Sequence, residues 1–340
     1  MVNEKTLTVH FHDKTNGSEP ENHSNQCCFS ASLYHHYKRW PIKNMQLDFR
    51  LFGLFFFLLF SSIALQAQTA AWDGTIADKI INRGNGDGTE TRPVEIASVQ
   101  ELAYLAQQTN LGGNSLTLAN GGGISGKSNF GGVYFKLTED IDLNGKGWTP
   151  IGKNSGNPFK GIFDGNGKTI RNLSAITTDD TYYAGLFGSL KNSSIKNLQV
   201  ELAPEGMKVE GIENIGAVAG YMENSKLINC GIKGKSLVGA LSVDLQQAVG
   251  GVVGQTNDSE ITDCRATLSV EAIYESAAAL FAGGIVGNNR KTTITNCEFS
   301  GDVRAVDTRT DGAPNSYAGG KRSGSDRFSS HHQHPLRMQS

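Results

Sequence analysis

Histidine is absent from the long middle of the chain. All eight histidines lie at the ends, between His10 and His36 and between His331 and His334, and none falls between Gln68 and Gly320. Without an imidazole that stretch cannot assemble a Ser-His-Asp or Cys-His nucleophile or an HExxH zinc site, so any chemistry there would fall to carboxylates, Lys, Arg or Tyr. Cysteine is scarce as well. The middle holds Cys230, Cys264 and Cys297 and has no CxxC pair of the zinc-binding kind. Aromatic residues make up 8% of the sequence and glycine contributes 41 residues, a composition that suits short strands and tight turns. An excess of positive charge is also missing: from Gln68 to Gly320 there are 21 Lys and Arg against 27 Asp and Glu, six net negative charges. That balance argues against a nucleic-acid or anionic-membrane surface, both of which need clustered cations.

The ends read differently from the middle. Residues 1–44 are polar, with Cys27 beside Cys28 and no hydrophobic period, and nothing in them asks to be a folded domain. From Met45 the text becomes one basic residue, the apolar run Leu51 to Phe60 and small residues to Ala67. This is the pattern of a secretory signal peptide over 45–67 with cleavage after Ala67, and the apolar core is short for a membrane span. A signal works at an N-terminus, so translation is expected to start at Met45, with 1–44 a mis-called or disordered extension. The segment 321–340 is basic and polar and has no strand pattern, as a frame-shifted or disordered tail would.

What fills the middle is a repeat. The phrases Ala184 to Gly188, Gly216 to Gly220, Gly250 to Gly254 and Gly283 to Gly287 read AGLFG, GAVAG, GGVVG and GGIVG. Their closing glycines, Gly188, Gly220, Gly254 and Gly287, are 32, 34 and 33 residues apart. Nine residues after each comes Asn197, Asn229, Asp263 or Asn296, with Ile or Leu two residues before it. A period in this range marks a solenoid, in which a unit buries its apolar face only by stacking on neighbours. The spacing predicts that each glycine phrase is a short strand and that each Asn or Asp closes a turn, the four forming a column that hydrogen-bonds from coil to coil. A polar ligand-binding row is the alternative for that column. Cys230, Cys264 and Cys297 share one phase with Leu198, so they are expected to be small buried apolar residues in a ladder. Variable stretches such as Ala203 to Asn214 and Glu275 to Leu280 are expected to be loops on one side. Tyr317 to Gly320 restarts the phrase in phase with Phe281 to Gly284.

The lead-in carries a capping box, Ser98-Val-Gln-Glu101, opening a helix to Gln108 with Val99, Leu102, Ala103 and Ala106 on one face, suited to cover the open end of a strand stack. Leu111 to Phe130 reads as a loop and strands begin at Val133. Two segments resemble calcium loops. Gly84 to Gly88 is plain turn chemistry, and Asp140 to Gly145 has Ile151 where an EF-hand requires a bidentate Glu, so alternation favours a strand with Asp140 and Asp142 on its polar face. Ile170-Arg-Asn-Leu173 matches Ile195-Lys-Asn-Leu198 at a distance of 25 residues and places the first coil before the glycine phrases.

The AGLFG, GGVVG and GGIVG phrases followed by Ile294-Thr-Asn-Cys297 resemble the GLUG motif of large secreted and surface-attached bacterial proteins. Leu102 to Ala106, Phe135 to Leu143 and Phe163 to Ile170 are similar to the segment that precedes such repeats. The resemblance implies an all-β fold, a right-handed parallel β-helix with one N-terminal capping helix, and a surface or adhesin-like role without catalytic residues. Some GLUG-bearing proteins are IgA-cleaving metallopeptidases, whose HExxH is absent here. The expected organisation is therefore a cap and first coils over 68–173 and solenoid repeats over 174–320. The expected function is a non-catalytic exported or cell-surface protein that needs no cofactor and binds surface glycans or extracellular proteins, with membrane contact only through the signal peptide or an anchor outside the sequence. A polysaccharide lyase or hydrolase using Asp140, Asp142 and Asp164 is the alternative, and a stalk for a further domain is another.

Overall fold

The computed structural model describes residues 72–307 apart from 126, 177–180, 211, 242–245 and 275–278, together with 316–319 and 328–329. Chain contacts separate Met1–Leu65 from Gln66–Ser340, and every described residue belongs to the second unit. The expectations for 1–44, 45–67 and most of 321–340 lie outside the described residues.

The second unit is a parallel β-solenoid of about five turns with one α-helix. Four strands make one full coil: Gln246–Gly250, Val253–Asn257, Glu260–Thr262 and Arg265–Tyr274. Each pairs in parallel with its counterpart one coil on: Ala279–Gly283, Val286–Arg290, Thr293–Ser300 and, for the last strand, Thr293–Ser300 with Val303–Asp307. The register holds residue for residue, which brings like side chains into columns. Val94, Phe135, Phe163, Ile195, Leu227, Ile261 and Ile294 form one such column, buried throughout. Full burial of a side chain of this size contributes about 1.5–3 kcal/mol, so every added coil deepens the same core. Around Phe135 the packing is aromatic: Phe130, Phe159, Phe187 and Phe163 follow at ring-centroid distances of 5.8, 5.8, 5.3 and 5.5 Å along the chain of contacts.

The helix α1 (Val99–Asn110) runs two residues beyond the predicted end. The Ser98 hydroxyl accepts from the Glu101 N–H at 3.3 Å, while the Glu101 carboxylate reaches past the cap to accept from the N–H of Ala97 at 2.8 Å and of Ile81 at 3.0 Å. Burial is wider than the predicted face, since Tyr104 and Leu105 are also enclosed. At its far end the Asn110 side chain accepts from the N–H groups of Gly152 and Lys153 at 2.9 Å, which ties the helix to the early coils.

Several expectations are corrected. The first strand is Val94–Ile96, ahead of the helix, pairing with Phe135 to Leu137; after Pro93 it is too short for alternation to show. The segment after the helix contains an antiparallel hairpin, Leu116–Thr117 with Gly123–Ile124. Ile195 is registered with Phe163, and Ile170 with Val200, so the 25-residue match was a coincidence of composition. The variable stretch after Ala203 is not all loop, because Met207–Glu210 extends a sheet by pairing with Leu237 to Ala240. Residues 275–278 of the other variable stretch lie outside the described set. The strand Thr169–Ala175 runs through the 173/174 junction and pairs with strands from both sides of it. The expected restart at Tyr317, by contrast, is in phase: Ser316–Gly319 is a strand with Tyr317 registered to Phe281.

The glycine phrase is a corner between two strands, not one strand. Gly250 ends one, Gly251 and Val252 bend, and Val253–Asn257 begins the next. The second strand then lies against the backbone of the first. A Cβ on Gly254 would sit 2.6 Å from the Gly220 carbonyl oxygen and 2.6 Å from the Ile215 nitrogen, and one on Gly287 would sit 2.7 Å from the Gly254 oxygen. The closing glycines are therefore fixed by backbone packing on backbone. Gly254→Ala is expected to cost about 3 kcal/mol in urea denaturation, the upper range for overpacking, whereas Gly156→Ala, whose Cβ would meet only the Asn154 side chain at 3.3 Å, is expected to stay within about 0.5 kcal/mol. Equal costs at the two sites would contradict the packing account.

Candidate functional site

The next corners of the coil are where polar side chains gather. Asn197, Asn229, Asp263 and Asn296 all hold φ between 51° and 56°, the left-handed region that Asn and Asp tolerate best after glycine. Their N–H groups continue the ladder, with Asn197 donating to the Ile228 carbonyl at 3.0 Å, Asn229 to Thr262 at 3.0 Å and Asp263 to Thr295 at 3.1 Å. Side chains run parallel to it. Asn197 Nδ2 donates to Asp164 Oδ1 at 3.1 Å, Asn229 Nδ2 to Asn197 Oδ1 at 2.9 Å, and Asn296 Nδ2 to the Asp263 carboxylate. The turn-closing role expected for these residues is thus the one the geometry displays.

A second corner escaped the sequence reading. Asn192, Asn224, Asp258 and Lys291 also hold positive φ, between 44° and 53°. The residues after them, Ser193, Ser225, Ser259 and Thr292, are buried, and the N–H of Ser193 donates to Ser225 Oγ at 3.1 Å, that of Ser225 to Ser259 Oγ at 3.1 Å and that of Ser259 to Thr292 Oγ1 at 3.2 Å. The recurring Asn-Ser, Asp-Ser and Lys-Thr pairs, at the same spacings as the glycines, were the available signal.

Directly behind the first corner, Cys230, Cys264 and Cys297 are buried free thiols, and Leu198 occupies the same place one coil earlier. The Cys264 thiol is pushed up by its hydrogen bond with Cys230 and by burial, and the Cys297 thiol by its hydrogen bond with Cys264 and by burial. They face the core and stay protonated.

The acidic residues considered for catalysis or calcium are each engaged by protein donors. Asp140 accepts from the Thr169 N–H at 2.9 Å and from Arg171 at 3.0 Å; Asp142 accepts from the Asn144 N–H and from Asn172 Nδ2, each at 2.7 Å. Asp164 accepts from the Asn166 N–H at 2.8 Å and lies 3.5 Å from the Lys196 ammonium. In the Gly84 to Gly88 turn the Asp87 carboxylate accepts from Thr89 and pairs with Arg92. Among the described residues no group of three or more His, Cys, Asp or Glu is placed to hold a metal ion.

Exposed charges pair across coils at registered positions. Lys226 lies 2.8 Å from Glu260, Lys191 3.1 Å from Glu223 and Arg265 3.4 Å from Glu298. Such solvated pairs contribute about 0.2–1 kcal/mol each, and they keep the register more than they hold the fold. Beside the Asn corner a groove of about 500 Å³ opens, lined by Asn229, Asp263 and Asn296 and by outward positions of the following strands, Gln199, Lys233 and Arg265. The column Gln199, Gly231, Arg265 and Glu298 lacks a side chain at Gly231. The Gln199 amide leans into that gap, its Oε1 2.0 Å from where a Gly231 Cβ would be. The sequence reading reached the corner residues of this groove and missed Gln199, Lys233 and Arg265.

Stacked parallel coils turning at glycine and asparagine columns define a β-solenoid of repeated units. Residues 246–271 match the GLUG motif, and motif and solenoid together fit a GLUG-repeat β-helix protein. Among curated proteins, halomucin of Haloquadratum walsbyi is 29% identical over 209 residues, which are 57% of this chain and 2% of halomucin. A candidate Gly-rich membrane protein of Evansella cellulosilytica is 39% identical over 97 residues, 26% of this chain and 11% of that protein. The chain thus aligns with only a small part of either relative. Among solved structures, the crystal structure of a candidate immunoglobulin A1 protease from Bacteroides ovatus matches with a TM-score of 0.40 and 18% identity over 68% of this chain and 77% of that one.

Two outcomes test the corner. Asn229→Ala, which must hold a left-handed backbone and loses the side-chain bond, is expected to destabilise by about 2 kcal/mol, and Asn229→Gly, which keeps the backbone freedom, by about 1 kcal/mol; the reverse order in urea titrations would refute the turn assignment. The thiols predict a pH effect. Because Cys264 and Cys297 hold their protons in the folded state, their contribution is fully present below the unfolded thiol value of about 8.5 and is lost above it, at about 1.4 kcal/mol per thiol and pH unit. The stability of the wild type is therefore expected to fall more steeply between pH 8 and 10 than that of a Cys264→Ala/Cys297→Ala variant, and parallel slopes would refute the buried-thiol assignment.

Proposed function

We propose that this chain is part of an exported, non-catalytic surface protein whose solenoid displays polar side chains for adhesion to glycans or proteins outside the cell. The observation that carries the reading is the contrast between corners and outward positions. Residue type is held at the corner of Asn197, Asn229, Asp263 and Asn296, while the registered outward column beside it changes from Gln199 through Gly231 and Arg265 to Glu298. A scaffold that keeps its turns and varies what it shows to solvent is suited to recognition rather than to chemistry. The missing histidine supports this, as does the engagement of Asp140, Asp142 and Asp164 by turn donors and arginine or lysine. The names of the two relatives, halomucin and a Gly-rich membrane protein, fit a place at the cell surface. Export through 45–67 belongs to the same proposal, as does membrane contact through that segment or through an anchor outside this sequence.

The test is binding of the labelled full chain to an array of glycans and extracellular proteins, with incubation of the same chain on acidic polysaccharides. Retention on at least one class of surface ligand, with dissociation constants of about micromolar, is expected. Absence of retention across the panel would reduce the chain to a spacer, and release of reducing ends or unsaturated sugars would make it an enzyme.

A further inference from the structure

In the groove beside the Asn corner the ladder of outward side chains is interrupted at Gly231 and polar groups of both signs converge. From its lining we infer that it binds an anionic sugar segment of a glycan, a specific form of the adhesive reading on which it rests. The corner offers planar amides from Asn229 and Asn296 and the acceptor-only carboxylate of Asp263, and Thr267 adds a hydroxyl. An amide presents a donor and an acceptor side by side and a carboxylate presents two acceptors, a set that sugar hydroxyls, each donor and acceptor at once, can satisfy. Two cations, Lys233 and Arg265, line the groove with the carboxylate of Asp263, while Glu298 pairs with Arg265 from the next coil and Glu201 is registered with Lys233 from the coil before. Lys233 is exposed and makes no ion pair among the described residues, and Arg265 is exposed and paired with Glu298 at 3.4 Å. A cation without a partner beside hydrogen-bonding amides is matched by a carboxylate or sulfate carried on a sugar.

The lining also separates a glycan from a protein partner. Protein interfaces are anchored by exposed aromatic or apolar side chains, whereas the apolar lining residues here, Cys230 and Ile232, are each only 2% exposed. Gly231 has no side chain, and the flexible end of Gln199 leans into the place its Cβ would take. The Gly231 backbone is extended strand with no positive φ, so a larger residue there would meet only the flexible end of Gln199.

The experiment measures retention of the full chain on immobilised polygalacturonate, a sulfated glycosaminoglycan, neutral dextran and polyglutamate. The expected result is retention on one or both acidic polysaccharides at least about tenfold above dextran and polyglutamate. A loss of about tenfold is expected in Lys233→Gln and Arg265→Gln, in line with removal of a charge-assisted hydrogen bond, and a similar loss in Gly231→Gln, with melting temperatures unchanged. Retention on polygalacturonate shows that a carboxylate suffices, and retention on the sulfated glycosaminoglycan alone shows that sulfate is required. Equal retention on dextran or polyglutamate would overturn the inference, as would undiminished binding by Lys233→Gln together with Gly231→Gln. Binding of the wild type to other ligands, unaffected by these variants, would overturn this site and leave the adhesive function standing; failure to bind any probe on the array would remove both.

Discussion

Everything in this solenoid depends on each coil turning at the same place as the coil before it. Parallel strands in strict register leave no freedom to insert a bend one residue early, because a one-residue slip would send every core side chain to the surface. Two of the corners meet that demand with backbone at positive φ, where Asn and Asp recur. The corner between them and the preceding strand meets it sterically, by removing Cβ from Gly220, Gly254 and Gly287 so that one strand can rest on the backbone of another. The apolar column from Val94 to Ile294 is what these corners permit, and the cross-coil ion pairs are trimmings on it.

Much of this was legible in the sequence because a column needs the same residue type at the same phase. Asn197, Asn229, Asp263 and Asn296 announced a turn and the three cysteines announced a buried ladder, since neither depends on knowing which strand lies next door. The glycine phrase was legible as a repeat and misread as a strand: periodicity cannot distinguish residues that extend from residues that bend, and only the contact of Gly254 with the Gly220 and Ile215 backbone reveals the corner. Val94–Ile96 was missed because its partner Tyr134–Leu137 lies beyond a helix and a hairpin. The serine ladder was present in the text at the same spacing as the glycines, but serine in a loop carries no burial signal of its own.

The groove was the least legible feature, for a physical reason. Its members come from successive coils, and its defining element is the absence of a side chain at Gly231 between Gln199 and Arg265, an absence that has meaning only once the register between strands is known. The same logic separates scaffold from display in this protein. Corner residues can be read from one repeat, whereas outward residues become a surface only when repeats are superposed.

The core is not the same from one end to the other. Along one column the residues are Leu190, Met222 and Thr256, all buried, and then Asn289, which is exposed, with Thr256 donating to Asn289 at 3.2 Å. The phenylalanine cluster sits at the opposite end. In a stack where each coil is stabilised only by its neighbours, such a gradient gives the molecule a direction. Coils whose inward positions are polar hold one another less firmly than those around the phenylalanine cluster, so local opening is expected to begin among the former and to reach the latter last.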